Sequence, residues 1–342
     1  MKLICIEEHT MDPATGQAAA PSLEREAPYM SLQSSPKAAS GPPDPTRPNL
    51  VEMSEAIRLG TDLGAGRIAN MDQHRIDMQI VSYSTPIQLA PPEQARTLAR
   101  AANERLAEAV AANPERLQGF AMLPWQLPAA AAQELEHAVT GLGLRGVLLV
   151  GRPGDTFLDD PAYRPVLEKI TELGVPLYLH PFHPVPQVQQ AYYAGLPEEV
   201  STQFSLGGWG WHHEAGVHLL RLILSGVFER LPGLQVISGH WGELVPFYLH
   251  RLDHVIPTSI SGLGKPVSEI YRSNVWITPS GMFHRAHFEF IRETLGLDRL
   301  IWSVDYPYLT LDGTRSFLGG LSLGSEEKHK ITHGNAEKLF RL

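Results

Sequence analysis

Short apolar runs rich in β-branched residues recur along the chain, and most are separated by stretches with helical periodicity. The pattern predicts strands near 2–8, 78–84, 118–123, 145–150, 175–180, 234–239, 275–279 and 300–304. Between them it predicts helices over 92–113, 129–141, 161–173, 212–230 and 284–296. Several strands, such as GVLLVG and VPLYLH, are apolar at nearly every position, as expected where a parallel sheet is covered on both faces. Eight strands alternating with helices predict an α/β fold, a (β/α)8 TIM barrel occupying 1–342 as a single domain. No GxGxxG follows the first strand, which disfavours a doubly wound nucleotide-binding sheet.

Two stretches break the alternation. Residues 10–50, rich in Pro, Ala, Ser and Gly, are expected to form a long loop after strand 1 that caps or lines the catalytic face. Residues 183–211 are expected to form an insertion after strand 5 on the same face. Its aromatic residues either wall the substrate or pack onto the barrel rim.

Composition narrows the class. Net charge is -9 without a Lys/Arg cluster, which argues against nucleic acid and anionic membranes. No apolar run approaches the roughly 20 residues of a membrane span. Glu7 and Glu8 interrupt the first apolar run too early for a signal peptide, so a cytoplasmic protein is expected. The single cysteine, Cys5, excludes an intrachain disulfide and reads as a small buried hydrophobe.

The chemistry lies where strands end. Glu7 and His9 close the first strand, His180 the fifth, His240 the sixth and Asp305 the eighth. Glu7 and His9 flank one residue, so strand periodicity points both the same way. A carboxylate and an imidazole are suitable ligands for zinc, manganese or iron. His180 and Asp305 would complete four protein ligands and leave an open position. Taken singly, each residue is equally well a satisfied structural polar group. Glu243, three residues after His240, can reach back to orient that imidazole or can favour a helix N-terminus.

These residues sit in segments that resemble the amidohydrolase superfamily, in the branch of aromatic acid and aminocarboxymuconate-semialdehyde decarboxylases. The segments are IEEH (6–9), MDQHRIDMQIVSYSTP (71–86), NPERLQGFAMLPWQ (113–126), LDDPAYRPVLEKITELGVPLYLHP (158–181), HLLRLILSGVFERLPGLQVISGHWGELVPF (218–247), SVDYP (303–307) and GNAEKLFRL (334–342). The resemblance implies one divalent metal ion, Zn2+ or Mn2+, held by Glu7, His9, His180 and Asp305, with no organic cofactor. It implies His240 and Glu243 as the catalytic pair, with Asp305 as a proton donor. Arg251 and Thr85 become candidate substrate contacts, and His284, an added imidazole near the mouth, joins them. Strand four ends in VLLVGRPG without a lysine for a carbamate bridge, which implies a single metal.

Two reactions fit this scaffold. The first is non-oxidative decarboxylation of a hydroxylated aromatic or related unsaturated carboxylic acid, a small-molecule substrate. The other is hydrolysis of an amide, lactone or C–C bond by a metal-activated water. The ExH pair and the spacing through His240, Glu243 and Arg251 favour decarboxylation. A homodimer or homotetramer is expected by family likeness. His212 and His213 stand together in GWGWHHEAGVH, and at most one is expected to touch substrate.

Overall fold

The computed structural model describes residues 1–27 and 43–342. Seven parallel strands follow in chain order: β1 (Ile4–Thr10), β2 (Met78–Tyr83), β3 (Leu117–Ala121), β4 (Gly146–Val150), β5 (Leu177–His180), β6 (Val236–Ser238) and β7 (Val275–Ile277). Their apolar side chains divide by strand alternation into two cores. Ile4, Ile6, Ile80, Phe120, Leu148, Tyr178, Ile237 and Trp276 form one cluster, which Phe340 of the C-terminal helix joins. Leu3, Cys5, Val81, Val147, Leu149, Leu177 and Val236 pack with the helices in a larger one. Cys5 is buried there, as its strand position implied. Each fully buried aliphatic side chain of this kind contributes about 1.5–3 kcal/mol, so the apolar runs alone commit the chain to a layered α/β body.

The expected eighth strand does not form a ladder. Around 300–304 the backbone makes isolated bridges only, Ile277 to Leu300 and Ile6 to Ser303. It still bonds in both directions. Ile301 N donates to Ile277 O at 2.9 Å, and Ile6 N donates to Trp302 O at 2.9 Å. The ladder stops because Val304 N donates to the Glu8 carboxylate, 2.9 Å away, instead of to strand backbone. Asp305 then turns left-handed at φ 72°.

The reading of 10–50 as loop also needs correction. Residues Pro13–Glu26 form a helix with Pro13 in its first turn, and Asp12 caps it by accepting from Thr15 N at 2.9 Å. Residues 28–42 of that stretch lie outside the described residues. Beyond them, Val51 N donates to Tyr308 O and Thr310 N to Asn49 O, each at 2.9 Å. This ties the stretch to the backbone just after Asp305. The insertion after β5 carries short helical segments, Pro186–Val188, Gln189–Tyr193 and Glu198–Ser205. In it Tyr193 packs edge-on against Phe204 with ring centroids 5.0 Å apart, so part of the aromatic set serves packing.

Candidate active site

Glu7 reaches the site through a fault in β1. Pairing with β2 runs Ile6 to Ile80 and then Glu8 to Val81, which leaves Glu7 as a bulge at φ 62°. Simple alternation would have paired Glu7 and His9 by periodicity. The bulge breaks that periodicity and still delivers both to the mouth. Glu8 goes elsewhere. Its second oxygen lies 3.4 Å from Gln79 Nε2, and Gln79 in turn accepts from the buried Arg67 at 3.0 Å. Glu8 is therefore a brace between β1, β2 and the Val304 backbone.

One ligand atom from each of Glu7, His9, His180 and Asp305 falls within 4.8 Å of the others. Three of these atoms, Glu7 Oε1, His9 Nε2 and Asp305 Oδ1, are buried without a hydrogen-bond partner. His9 Nε2 stands 3.2 Å from Asp305 Oδ1, too poorly aligned to bond. Buried acceptors converging with no donor between them are costly. A divalent cation at that point satisfies all of them.

The surrounding contacts aim each group inward. Ser82 Oγ is 3.0 Å from His9 Nδ1, and the Pro181 carbonyl is 2.7 Å from His180 Nδ1. The carbonyl can only accept, so His180 carries its proton on Nδ1 and presents the Nε2 lone pair. Burial, and then the neighbouring His9 and His240, hold the His180 imidazole well below its ordinary range. It is thus in the neutral form that binds metals. Glu7 Oε2 accepts from the hydroxyls of Thr278 at 3.1 Å, Ser303 at 3.0 Å and Ser280. Burial pushes the Glu7 carboxyl up, the His240 charge opposes this, and Asp305 adds to it. A bound cation reverses the sign of that balance. Two imidazoles and two carboxylates suit Zn2+ or Mn2+.

Gly239 makes room for this arrangement. A Cβ there would lie 2.9 Å from Glu7 Oε1 and 2.8 Å from the Tyr178 hydroxyl. Its φ of -71° suits any residue, so the constraint is steric. Gly239→Ala is expected to weaken metal affinity by about 10–100-fold through displacement of Glu7. Titration of the metal-free protein with Mn2+ checks this, and an unchanged affinity would remove Glu7 from the ligand set.

Beyond β6 the chain winds left-handed through His240 (φ 46°), Trp241 (φ 60°), Gly242 (φ 87°), Glu243 (φ 51°) and Leu244 (φ 68°). The turn is pinned by His240 N donating to Ser280 Oγ at 2.8 Å and by Trp241 N donating to Thr278 O at 2.8 Å. It folds Glu243 back so that Oε1 lies 2.7 Å from His240 Nδ1. Burial alone lowers the His240 pKa. The Glu243 carboxylate outweighs it by charge and hydrogen bond, with Glu7 and Asp305 adding, and the imidazole is pushed up to about 9. The other Glu243 oxygen meets His212 Nδ1 at 2.9 Å. The sequence offered His212 and His213 as equals. Successive helical positions point about 100° apart, and His212 is the one that reaches the β6 turn.

The remaining candidates stand outside this cluster. Thr85 Oγ1 accepts from Asp12 N at 3.0 Å, which anchors the segment after β1. Arg251 is exposed on the helix Val245–Val255 and makes no ion pair among the described residues. His284 is exposed before the helix Arg285–Leu295, with its ring 5.0 Å from that of His287. Sequence reasoning missed Ser82, Thr278, Ser280 and Ser303, because hydroxyls near strand ends are too common to carry a signal. It also missed Gly239.

Residues 60–342 match the family described as Amidohydrolase. A γ-resorcylate decarboxylase from Rhodococcus jostii is 36% identical over 297 residues, covering 82% of this chain and 88% of that protein. Among solved structures, a 5-carboxyvanillate decarboxylase from Sphingomonas paucimobilis aligns with a TM-score of 0.86 and 31% identity, covering 100% of this chain and 99% of its own. A dihydroxybenzoic acid decarboxylase from Polaromonas, with bound manganese and the inhibitor 2-nitroresorcinol, aligns at 0.84 and 30% identity, covering 100% and 97%. The resemblance read from the segments between IEEH and GNAEKLFRL is thereby borne out. With a match this long and relatives this similar, the chain belongs to the amidohydrolase family.

Proposed function

We propose that this protein is a metal-dependent, non-oxidative decarboxylase of a hydroxylated aromatic carboxylic acid. The observation that carries the reading is the likeness to decarboxylases over nearly the whole chain, at 36% and 31% identity. The convergence of unpartnered Glu7, His9 and Asp305 atoms supports the metal site. In this reading Glu7, His9, His180 and Asp305 hold Mn2+ or Zn2+. When bound, the cation supplies a Lewis acid that anchors the substrate oxygens and offsets phenolate charge.

The chain's own groups then manage protons and orientation. Asp305, with its side chain 18% exposed, is the most accessible of the four. It delivers a proton from Oδ2 to the ring carbon that bears the carboxylate, and the ring loses aromaticity. The C–C bond breaks, carbon dioxide leaves, and the bonding pair restores the ring. Solvent returns the proton to Asp305. His240, oriented by Glu243, holds a proton against the developing phenolate oxygen. Thr85, Arg251 and His284 remain candidate substrate contacts in this reading. The buried Ser82, Thr278, Ser280 and Ser303 keep the ligands in place as the substrate changes charge.

The finer architecture belongs to the same proposal. We read 1–342 as one (β/α)8 barrel whose eighth unit is the bridged segment around 300–304. We read the assembly as a homodimer or homotetramer, which would cover Phe247 and Tyr248, 70% and 53% exposed on the helix that bears Arg251. No described helix is long and apolar enough to cross a membrane.

Incubation of the metal-loaded protein with a panel of dihydroxybenzoates is expected to release bicarbonate, and phenol carboxylation is expected in concentrated bicarbonate. Turnover of lactones or ring-cleavage products alone would overturn the reading in favour of hydrolysis.

A further inference from the structure

The reaction above makes no use of His212, yet the carboxylate of its catalytic pair is held from both sides. Glu243 Oε1 lies 2.7 Å from His240 Nδ1, and Oε2 lies 2.9 Å from His212 Nδ1. The two imidazole centroids are 4.4 Å apart. The other nitrogen of His212, Nε2, is 3.0 Å from the Gly207 carbonyl oxygen.

These contacts fix a proton count. A carbonyl oxygen only accepts, so Nε2 of His212 carries hydrogen. A neutral imidazole has one N–H. Nδ1 would then be a lone pair set against a carboxylate oxygen, two acceptors in contact. One further proton on the His212–Glu243 pair removes the conflict. Burial would raise the Glu243 carboxyl, but the charges and hydrogen bonds of His240 and His212 outweigh it and hold it below its ordinary range. Imidazole is the more basic of the two groups by about two pH units in free peptides, so the proton sits on His212.

We propose that His212 is a positioning residue held as the imidazolium, so that Glu243 bridges two imidazoles and shares its charge between them. The proposal rests on the reading of His240 and Glu243 as the catalytic pair. Its consequence is that His240 releases its proton more readily than a histidine with sole claim to a carboxylate. The helix that carries His212 opposes this charge. His212 lies in the first turn of the helix Gly210–Leu224, where the helix dipole disfavours a cation. Only a carboxylate close at hand makes a charged histidine stable there.

Other charged or titratable groups also bear on this cluster. His180 at the end of β5 is within reach of the His212 charge. Glu7 and Asp305 act on His240 from the opposite side. The buried Tyr271 hydroxyl, without a partner, lies behind Glu243. None of them supplies Glu243 with a second hydrogen-bond donor. His212 does.

The test uses the metal-loaded, full-length protein with 15N-labelled histidine, as wild type and as His212→Gln. Glutamine keeps a donor for Glu243 and loses the charge. In the wild type both His212 nitrogens are expected to be protonated around neutral pH. In His212→Gln the metal content is expected to be unchanged. The limb of the kcat profile on which His240 deprotonates is expected to move up by about one pH unit. A single N–H on His212, or a limb that stays in place, overturns the proposal. If the wild type decarboxylates no dihydroxybenzoate, the functional reading fails by itself, and the nitrogen spectra still decide the state of His212.

Discussion

His180→Ala is expected to empty the metal site and reduce decarboxylation by roughly a thousandfold or more, the effect of losing about 4 kcal/mol of charge stabilisation. His180 is the only member of the set supplied by β5, and its ring packs at right angles to His9 with centroids 4.8 Å apart. Its removal leaves Glu7, His9 and Asp305 to hold a dication with three groups. The barrel is expected to survive. The Glu7 contacts with Thr278, Ser280 and Ser303 join β1 to the segment just after β7 and to the segment around 300–304, and none passes through His180. Elemental analysis and bicarbonate release on the same preparation test this. A metal-free variant with wild-type turnover would sink the central assignment.

Glu243→Gln is expected to lower kcat by about 10²–10⁴-fold while metal content and KM change little. The carboxylate accepts from two imidazoles at 2.7 and 2.9 Å. An amide of the same shape offers one acceptor and must turn a donor towards the other ring. Either His240 loses its orientation or His212 faces an N–H. In both cases the strongest of the groups that raise the His240 pKa is gone, and only Glu7 and Asp305 are left to oppose burial. An effect on metal binding equal to that on turnover would mean that Glu243 serves the metal and not the proton.

Seven of the strands, and the polar residues that converge at their ends, were legible in the sequence because each depends on local pattern. GVLLV reads as a covered parallel strand without any partner in view, and Glu7, His9, His180 and Asp305 interrupt such runs at their ends. What stayed hidden depends on contacts distant in sequence. The ladder at 300–304 fails because a glutamate from β1 takes the Val304 amide. The helix Pro13–Glu26 was obscured by its prolines, although Asp12 before Pro13 and the Ala18–Ala20 run carry a proper start signal. Between His212 and His213, only the helix's rotation relative to β6 makes the choice. Arg251 shows the converse. A motif position can be read with ease and still lie on an exposed helix face.

Seven of the nine non-glycine residues with positive φ among the described residues belong to the active-site segments: Glu7, His240, Trp241, Glu243, Leu244, Ser280 and Asp305. Each such residue costs about 1–2 kcal/mol relative to ordinary backbone. Handedness therefore screens substitutions here before chemistry does. At Trp241 and Leu244, β-branched residues are rejected for their backbone alone, whereas glycine and asparagine are admitted. A library built to alter substrate choice will see this loop as rigid for reasons unrelated to any substrate. Variation will be absorbed instead by segments of ordinary hand, such as the helices between β5 and β6.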